Sequence, residues 1–334
     1  MTVEEIRQHA NHLLGRAATG LQRFRRTPRE SRDPRTVFVL LGGGSRGAAQ
    51  AGALTELLEA GIVPDAIVGI SAGSWNGAYL GVEPTVERAR QLEALWLATS
   101  SHDIIGRPRW ISALSLLARR RSLFDGQGMR RVAARYLAGL DFADLRLPVR
   151  IVAADIISGR AHFFSEGSVL EAVMASSAVP GVFPPIPGGD KLLVDGGMAE
   201  WAGCQAALDL GATRICLLAC GAPEPTTLKL SGFIQMIQRS MDLAYRDGFN
   251  RSIFALRAVG IEVLPVFPDI PACSFLDFDH AAELVEAGRA AAKRALLGSF
   301  APSGLGQGTL TPAPEQPAPL FKPSAPPAPS AHSA

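Results

Sequence analysis

Apolar residues recur at Val3, Ile6, Ala10, Leu13, Ala17, Leu21 and Phe24, a helical spacing that predicts one amphipathic helix over residues 2–26. Thr2 and Glu5 have capping-box spacing at its start. Arg23, Arg25 and Arg26 sit at its end, where the helix dipole favours cations. Such a helix either packs on its own domain or lies on anionic lipid. Pro28 and Pro34 bracket an Arg-rich linker, so the core is expected to begin near Thr36. Residues 37–41 are an apolar run ending in glycines, which reads as a buried strand. A helix pattern over 48–60 is closed by Gly61. Residues 66–70 read as a second buried strand, and 74–80 open a second helix. Strand, glycine turn, helix, strand, tight turn, helix is the order of a parallel sheet with helical crossovers.

Residues 85–145 carry mostly helical patterns, broken by Gly106, Pro108 and a turn at 124–128. Trp96, Trp110, Ile111, Leu114, Leu116 and Leu117 precede the basic run Arg119, Arg120, Arg121. This insertion between strands covers an apolar site, touches a membrane, or is core followed by a solvated basic face. Further buried strands are expected at 149–154 and 214–219, and a closing helix at 278–297. No internal repeat is visible. From Ala301 the character changes, with nine of the 24 prolines at positions 302–329 amid Ala, Ser and Gly. That composition buries too little apolar surface to order itself. The expected organisation is a helix and linker (1–35), one domain (36–298) and a Pro-rich tail (299–334). The expected fold class is α/β, a three-layer α/β/α arrangement with a mainly parallel central sheet.

Charge narrows the function classes. With 33 basic and 31 acidic side chains the net charge is +2, unlike the strongly basic balance of nucleic-acid binders. At 47% hydrophobic residues the chain is core-forming rather than wholly disordered. No apolar run approaches the roughly 18 residues of a membrane-spanning helix, and the first residues lack the pattern of a secretory signal. Cys204, Cys216, Cys220 and Cys273 fit no zinc spacing; reduced, buried thiols in a cytosolic protein are expected.

Gly69-Ile70-Ser71-Ala72-Gly73 is a G-x-S-x-G element between a predicted strand and a predicted helix, the context of a nucleophile elbow. Gly69 and Gly73 permit a sharp turn without side-chain clashes, so Ser71 Oγ stands exposed, and the helix N-terminus faces developing negative charge. The bland alternative is a serine helix cap in a tight turn. Gly42-Gly43-Gly44-Ser45-Arg46-Gly47 also follows a strand and opens a helix. It matches G-x-G-x-x-G in form, but the next strand ends at Ile70 and is followed by Ser71 rather than by the ribose-binding acid a dinucleotide site needs. An oxyanion hole built from the loop's backbone N–H groups is the better reading, with Arg46 adding positive potential or forming an ion pair within the loop. Two proton acceptors compete for Ser71. His280, in Asp277-Phe278-Asp279-His280, is the histidine late enough for an α/β-hydrolase triad order. Asp195 ends a short apolar strand and is followed by Gly196 and Gly197; it needs burial or a hydrogen bond to serve as a base.

Together these elements resemble the patatin-like phospholipase family in its bacterial form. The resemblance rests on 42–47, 69–73 and Asp195-Gly196-Gly197 in that order. Asp155-Ile156-Ile157-Ser158-Gly159, the segment 176–185 and the closing helix add to it, covering residues 36–298. It implies a Ser71–Asp195 dyad without histidine, an oxyanion loop at Gly43, Gly44 and Arg46, and hydrolysis of fatty-acyl esters with no metal or cofactor. The implied partner is a lipid at a membrane or micelle surface, met in the cytoplasm or on the inner membrane face. The chain departs from the family after Gly197, where Met198-Ala199-Glu200-Trp201 replaces the usual Asn and Pro. Trp201 there lines an acyl pocket or packs in the core. A His280-dependent carboxylesterase and a catalytically silent lipid-binding protein stand as alternatives.

Overall fold

The computed structural model describes residues 35–105, 122–199, 201–221 and 232–300. The expected helix over 2–26, its linker, the 106–121 part of the insertion and the Pro-rich segment lie outside them. Eight strands form one sheet. At its centre run β1 (Thr36–Leu40) and β2 (Ala66–Ile70), buried along their whole length. Their near-continuous Val, Ile and Leu content suits strands covered on both faces. β3 (Val149–Asp155) pairs parallel with β2, β7 (Arg214–Leu218) with β1, and β8 (Glu262–Val266) with β7. Three strands joined through antiparallel pairings complete the sheet. β4 (Arg160–Phe164) and β6 (Lys191–Asp195) pair with β3, and β5 (Ile186–Gly188) pairs with β6. The fold is α/β with a mixed, mostly parallel sheet.

Alternate residues of β1 serve opposite cores. Phe38 and Leu40 pack in one cluster with α1 (Gly47–Glu59), α2 (Ala72–Val82), α3 (Val86–Leu97), α5 (Gln127–Leu137), α6 (Val169–Ser176) and α9 (Ala281–Phe300). The short α4 (Ser101–Ile105) adds Ile104 to it. Val37 and Val39 pack in the other cluster with α7 (Trp201–Asp209) and with Phe249 and Leu256 of α8 (Phe233–Ala258). These are the expected three layers. The strands expected at 37–41, 66–70, 149–154 and 214–219 form within a residue of those bounds. The closing helix starts at Ala281, three residues later than expected, and α2 starts at Ala72, two residues earlier. All four cysteines are buried and outside any disulfide, and burial pushes the thiols of Cys216 and Cys220 up to about 12, far from reactive. Among the described residues no helix is long and apolar enough to cross a membrane.

Candidate active site

Ser71 links β2 to α2 with φ 51° and ψ −122°, the one non-glycine residue of positive φ among those described. Holding a side-chain-bearing residue there costs about 1–3 kcal/mol, so the surroundings must fix it. They do so through the backbone. Ser71 N–H donates to Ser176 Oγ at 2.8 Å, and Ser176 Oγ donates to Val152 O at 2.6 Å. Ser71 O accepts from Ser74 N–H at 2.8 Å and from Ser74 Oγ at 2.6 Å. The flanking glycines are needed for space. A Cβ at Gly73 would collide with the Leu40 carbonyl, and one at Gly69 would lie 2.6 Å from Ser74 Cα.

Register brings Asp195 to this turn. On β3, Ile151 and Val152 pair with both β2 and β4, whereas Ala153, Ala154 and Asp155 pair with both β4 and β6. β4 therefore holds one edge of β3, and β2 and β6 divide the other. Ile70 lies opposite Val152 and Asp195 opposite Ala153, so the two strands meet head to head. Gly196 then turns against β3, where a Cβ would strike the Val152 carbonyl.

Asp195 is wholly buried, and Gly197 N–H donates to its Oδ1 at 2.8 Å. Burial pushes the carboxyl up to about 6, opposed in part by the Ser71 hydroxyl beside it and by the Gly197 N–H. Oδ2 receives no hydrogen bond of full geometry. The Ser71 hydroxyl therefore adjoins the carboxylate without closing a complete bond onto it, a looseness common before substrate arrives.

The glycine loop follows β1. A 3₁₀ turn over Gly44–Arg46 starts with Gly44 at φ 61°, where a Cβ would also strike the Phe275 carbonyl. Gly43 and Gly44 donate no backbone hydrogen bond to another described residue. With Ser71 and Val179 they wall one small cavity of about 300 Å³. Behind the loop a buried network fixes its exit. Gln50 Nε2 donates to Leu41 O (2.8 Å) and Leu218 O (3.0 Å); Asn76 Nδ2 donates to Gly47 O (2.9 Å) and Gln50 Oε1 (3.0 Å). Trp96 Nε1 donates to Asn76 Oδ1 at 2.8 Å. Gly47 is close-packed here too, since a Cβ would lie 2.7 Å from Trp96. Gly42 lines a neighbouring cleft with Gly43 and Arg46. The Arg46 guanidinium is not a free cation facing the loop. It is 2% exposed and bonded to Asp242 at 2.6 and 3.3 Å, because a buried charge requires a partner. The expected ion pair of Arg46 forms, with its partner on α8 rather than within the loop, and it does not exclude a contribution of Arg46 to the positive potential there.

From Ser71 a cleft with about 810 Å³ of empty space, its open mouth included, runs into the helical layer. Ala72, Trp75, Asn76 and Tyr79, spaced as one face of α2, form one wall; Leu92, Leu95 and Trp96 of α3 and Met129, Val132 and Tyr136 of α5 form others. The insertion thus covers an apolar site, as one reading of it held. No histidine is among the walls. His280 stands part-exposed between Asp277 (3.5 Å) and Glu283 (3.6 Å), and His162 on β4 contacts Lys191. Trp201 is 45% exposed and outside the cavity walls, so it neither lines the pocket nor packs in the core. Sequence reasoning assigned no role to Ser176, which holds the Ser71 backbone, or to Ser177, which accepts from Trp75 Nε1 at 2.8 Å. The serine pair ahead of Pro180 was their one signal. Gln238 and Asp242 carried none.

The patatin-like phospholipase family model matches residues 38–208, just over half of the chain. The chain is 31% identical over 198 residues to the mouse patatin-like phospholipase domain-containing protein 6, covering 59% of this chain and 14% of that one. It is 28% identical over 283 residues to an NTE family protein of Mycobacterium bovis, covering 78% and 46%. It therefore spans less than half the length of either relative. Among solved structures, VipD from Legionella pneumophila is 11% identical with a TM-score of 0.40, over 80% of this chain and 67% of that one. Human GIVD cytosolic phospholipase A2, in complex with methyl gamma-linolenyl fluorophosphonate, is 13% identical with a TM-score of 0.38, over 89% and 65%. The ordered motifs and the extent of the family match lead to one conclusion: the chain belongs to the patatin-like phospholipase family.

Proposed function

We propose that this protein is a serine lipid acyl hydrolase that cleaves fatty-acyl esters of phospholipids or related lipids at a membrane or micelle surface. The observation that carries this reading is the pairing of Ser71 with a wholly buried carboxylate at one end of a cavity lined almost entirely by apolar side chains. Asp195, raised towards 6, is a stronger base than a free aspartate near 3.9. It takes the Ser71 proton as Oγ bonds to the ester carbonyl carbon. The Gly43 and Gly44 N–H groups, within the Gly42–Gly47 loop, hold the resulting oxyanion. Collapse breaks the ester C–O bond, and the leaving alcohol takes the proton back from Asp195. Water then attacks the acyl-serine, Asp195 accepts its proton, and Ser71 recovers it as the fatty acid departs. The acyl tail lies along the α2 face from Ala72 to Tyr79, seven residues or about 10 Å.

A fluorophosphonate probe read by intact mass tests the dyad. Wild type and His280→Ala are expected to gain one adduct, and Ser71→Ala and Asp195→Asn none, with fatty-acid release following the same pattern. Labelling or turnover surviving in Ser71→Ala would refute the assignment. A folded wild type that binds liposomes without labelling would favour the silent lipid-binding alternative.

A further inference from the structure

We propose that Asp242 and Gln238 of α8 are positioning residues for the oxyanion loop, an inference that rests on the hydrolase reading above. The two lie one helical turn apart, on the same face of α8, and both are buried. Asp242 grips the loop directly, through two contacts to the Arg46 guanidinium. Gln238 grips it at one remove. Its Nε2 donates to Cys273 O at 3.2 Å and its Oε1 accepts from Phe275 N–H at 3.1 Å. Arg46 Nη2 donates to the same Cys273 carbonyl at 3.2 Å. The braced segment then holds the loop from the other side, since Phe275 O accepts from Ser45 N–H at 2.8 Å and Ser274 O from Ser45 Oγ at 3.0 Å. The Ser45 N–H and hydroxyl and the two Arg46 Nη atoms are thus fastened to α8 or to a segment α8 fastens. Gly43 and Gly44, immediately before them, keep their N–H groups for the oxyanion. Gln238, Asp242, Phe275, Gly43, Gly44 and Ser71 all wall the same 300 Å³ cavity.

A loop built from glycines has little conformational preference of its own. The aim of its N–H groups must come from what Ser45 and Arg46 are tied to. α8 lies beyond residue 208, where the family match ends.

The test compares wild type, Gln238→Met, Asp242→Asn and the apolar pair Arg46→Met/Asp242→Leu. Each is read by melting temperature, by kcat and KM on a short-chain p-nitrophenyl ester, and by amide exchange over residues 42–47. The double variant removes both charges, so folding is expected to persist. A merely structural pair predicts that it recovers kcat along with stability. A positioning pair predicts a kcat loss of about 10²-fold, the scale of a misplacement near 1 Å, with KM within about twofold and faster exchange over 42–47. Gln238→Met is expected to lower kcat in the same direction. Unchanged exchange, or a double variant with wild-type kcat, overturns the proposal. A wild type with no turnover, whose loop exchange still rises in the variants, overturns the hydrolase reading and the catalytic role of the clamp together; the wild-type control separates that result from failure of the clamp alone.

Discussion

Asp195→Asn keeps the shape of the side chain and removes its charge, so it separates what this position does for chemistry from what it costs the fold. The carboxyl ionises near 3.8 when free and is pushed up to about 6 by complete burial. At about 1.4 kcal/mol per tenfold, that displacement corresponds to about 3 kcal/mol of folding stability forfeited once Asp195 is ionised. The sign follows from proton counts. Between about pH 4 and 6 the folded protein holds a proton that the unfolded chain has released, so raising the pH through that window destabilises the fold; outside the window the contribution is flat. Asparagine retains an acceptor for the Gly197 N–H and presents its amide to the Ser71 oxygen. The variant is therefore expected to match wild type near pH 4 and to exceed it by about 2–3 kcal/mol at pH 8, while losing turnover. Guanidinium unfolding followed by tryptophan fluorescence, at constant ionic strength from pH 4 to 8, measures the gap. A gap that does not widen between pH 4 and 6, or a wild type more stable than the variant at pH 8, would refute the reasoning.

The same ionisation sets a rate profile: kcat/KM on a soluble ester should climb with one proton through about pH 6 and level off, identically in His280→Ala. A midpoint below 5 or above 7.5 would remove Asp195 as the base. Asn76→Leu orphans Trp96 Nε1 and Gln50 Oε1 behind the glycine loop, and is expected to cost about 2–4 kcal/mol in chemical unfolding; a loss under about 0.5 would show that the network is slack. Val132→Phe fills part of the apolar cavity from α5. With each methylene worth about 0.8 kcal/mol, it should cut activity on a ten-carbon ester at least tenfold and leave a four-carbon ester within about twofold, so equal losses on both would take the tail out of this cavity.

What could be read from the sequence follows physical lines. β1 and β2 were legible because buried parallel strands are unbroken apolar runs and glycine follows each. Ser71 and Asp195 were legible as residue types at strand ends; their meeting was not, since it depends on β6 running against β3 beyond the head of β2. β8 was hidden by Pro265, tolerated because β8 is an edge strand. α8 was hidden by an inverted pattern, with Gln238, Asp242 and Ser252 buried and Met236, Leu243 and Phe254 exposed. Arg46 could be recognised as a loop residue, but its counterion stands 196 positions away and no local signal pairs them.

The shared edge of β3 has a consequence for how this protein could change. Ile70, just before Ser71, and Asp195 pair with neighbouring residues along one edge of β3, so the separation of Ser71 and Asp195 is set largely by backbone pairing. Much of the wall of the apolar cavity comes instead from α3 and α5, within the stretch of chain between β2 and β3. On the proposed reading, chemistry would rest on main-chain ladders and selectivity on interchangeable side chains. Grafting the α3–α5 stretch of a relative onto this sheet should move acyl preference while leaving the dyad untouched.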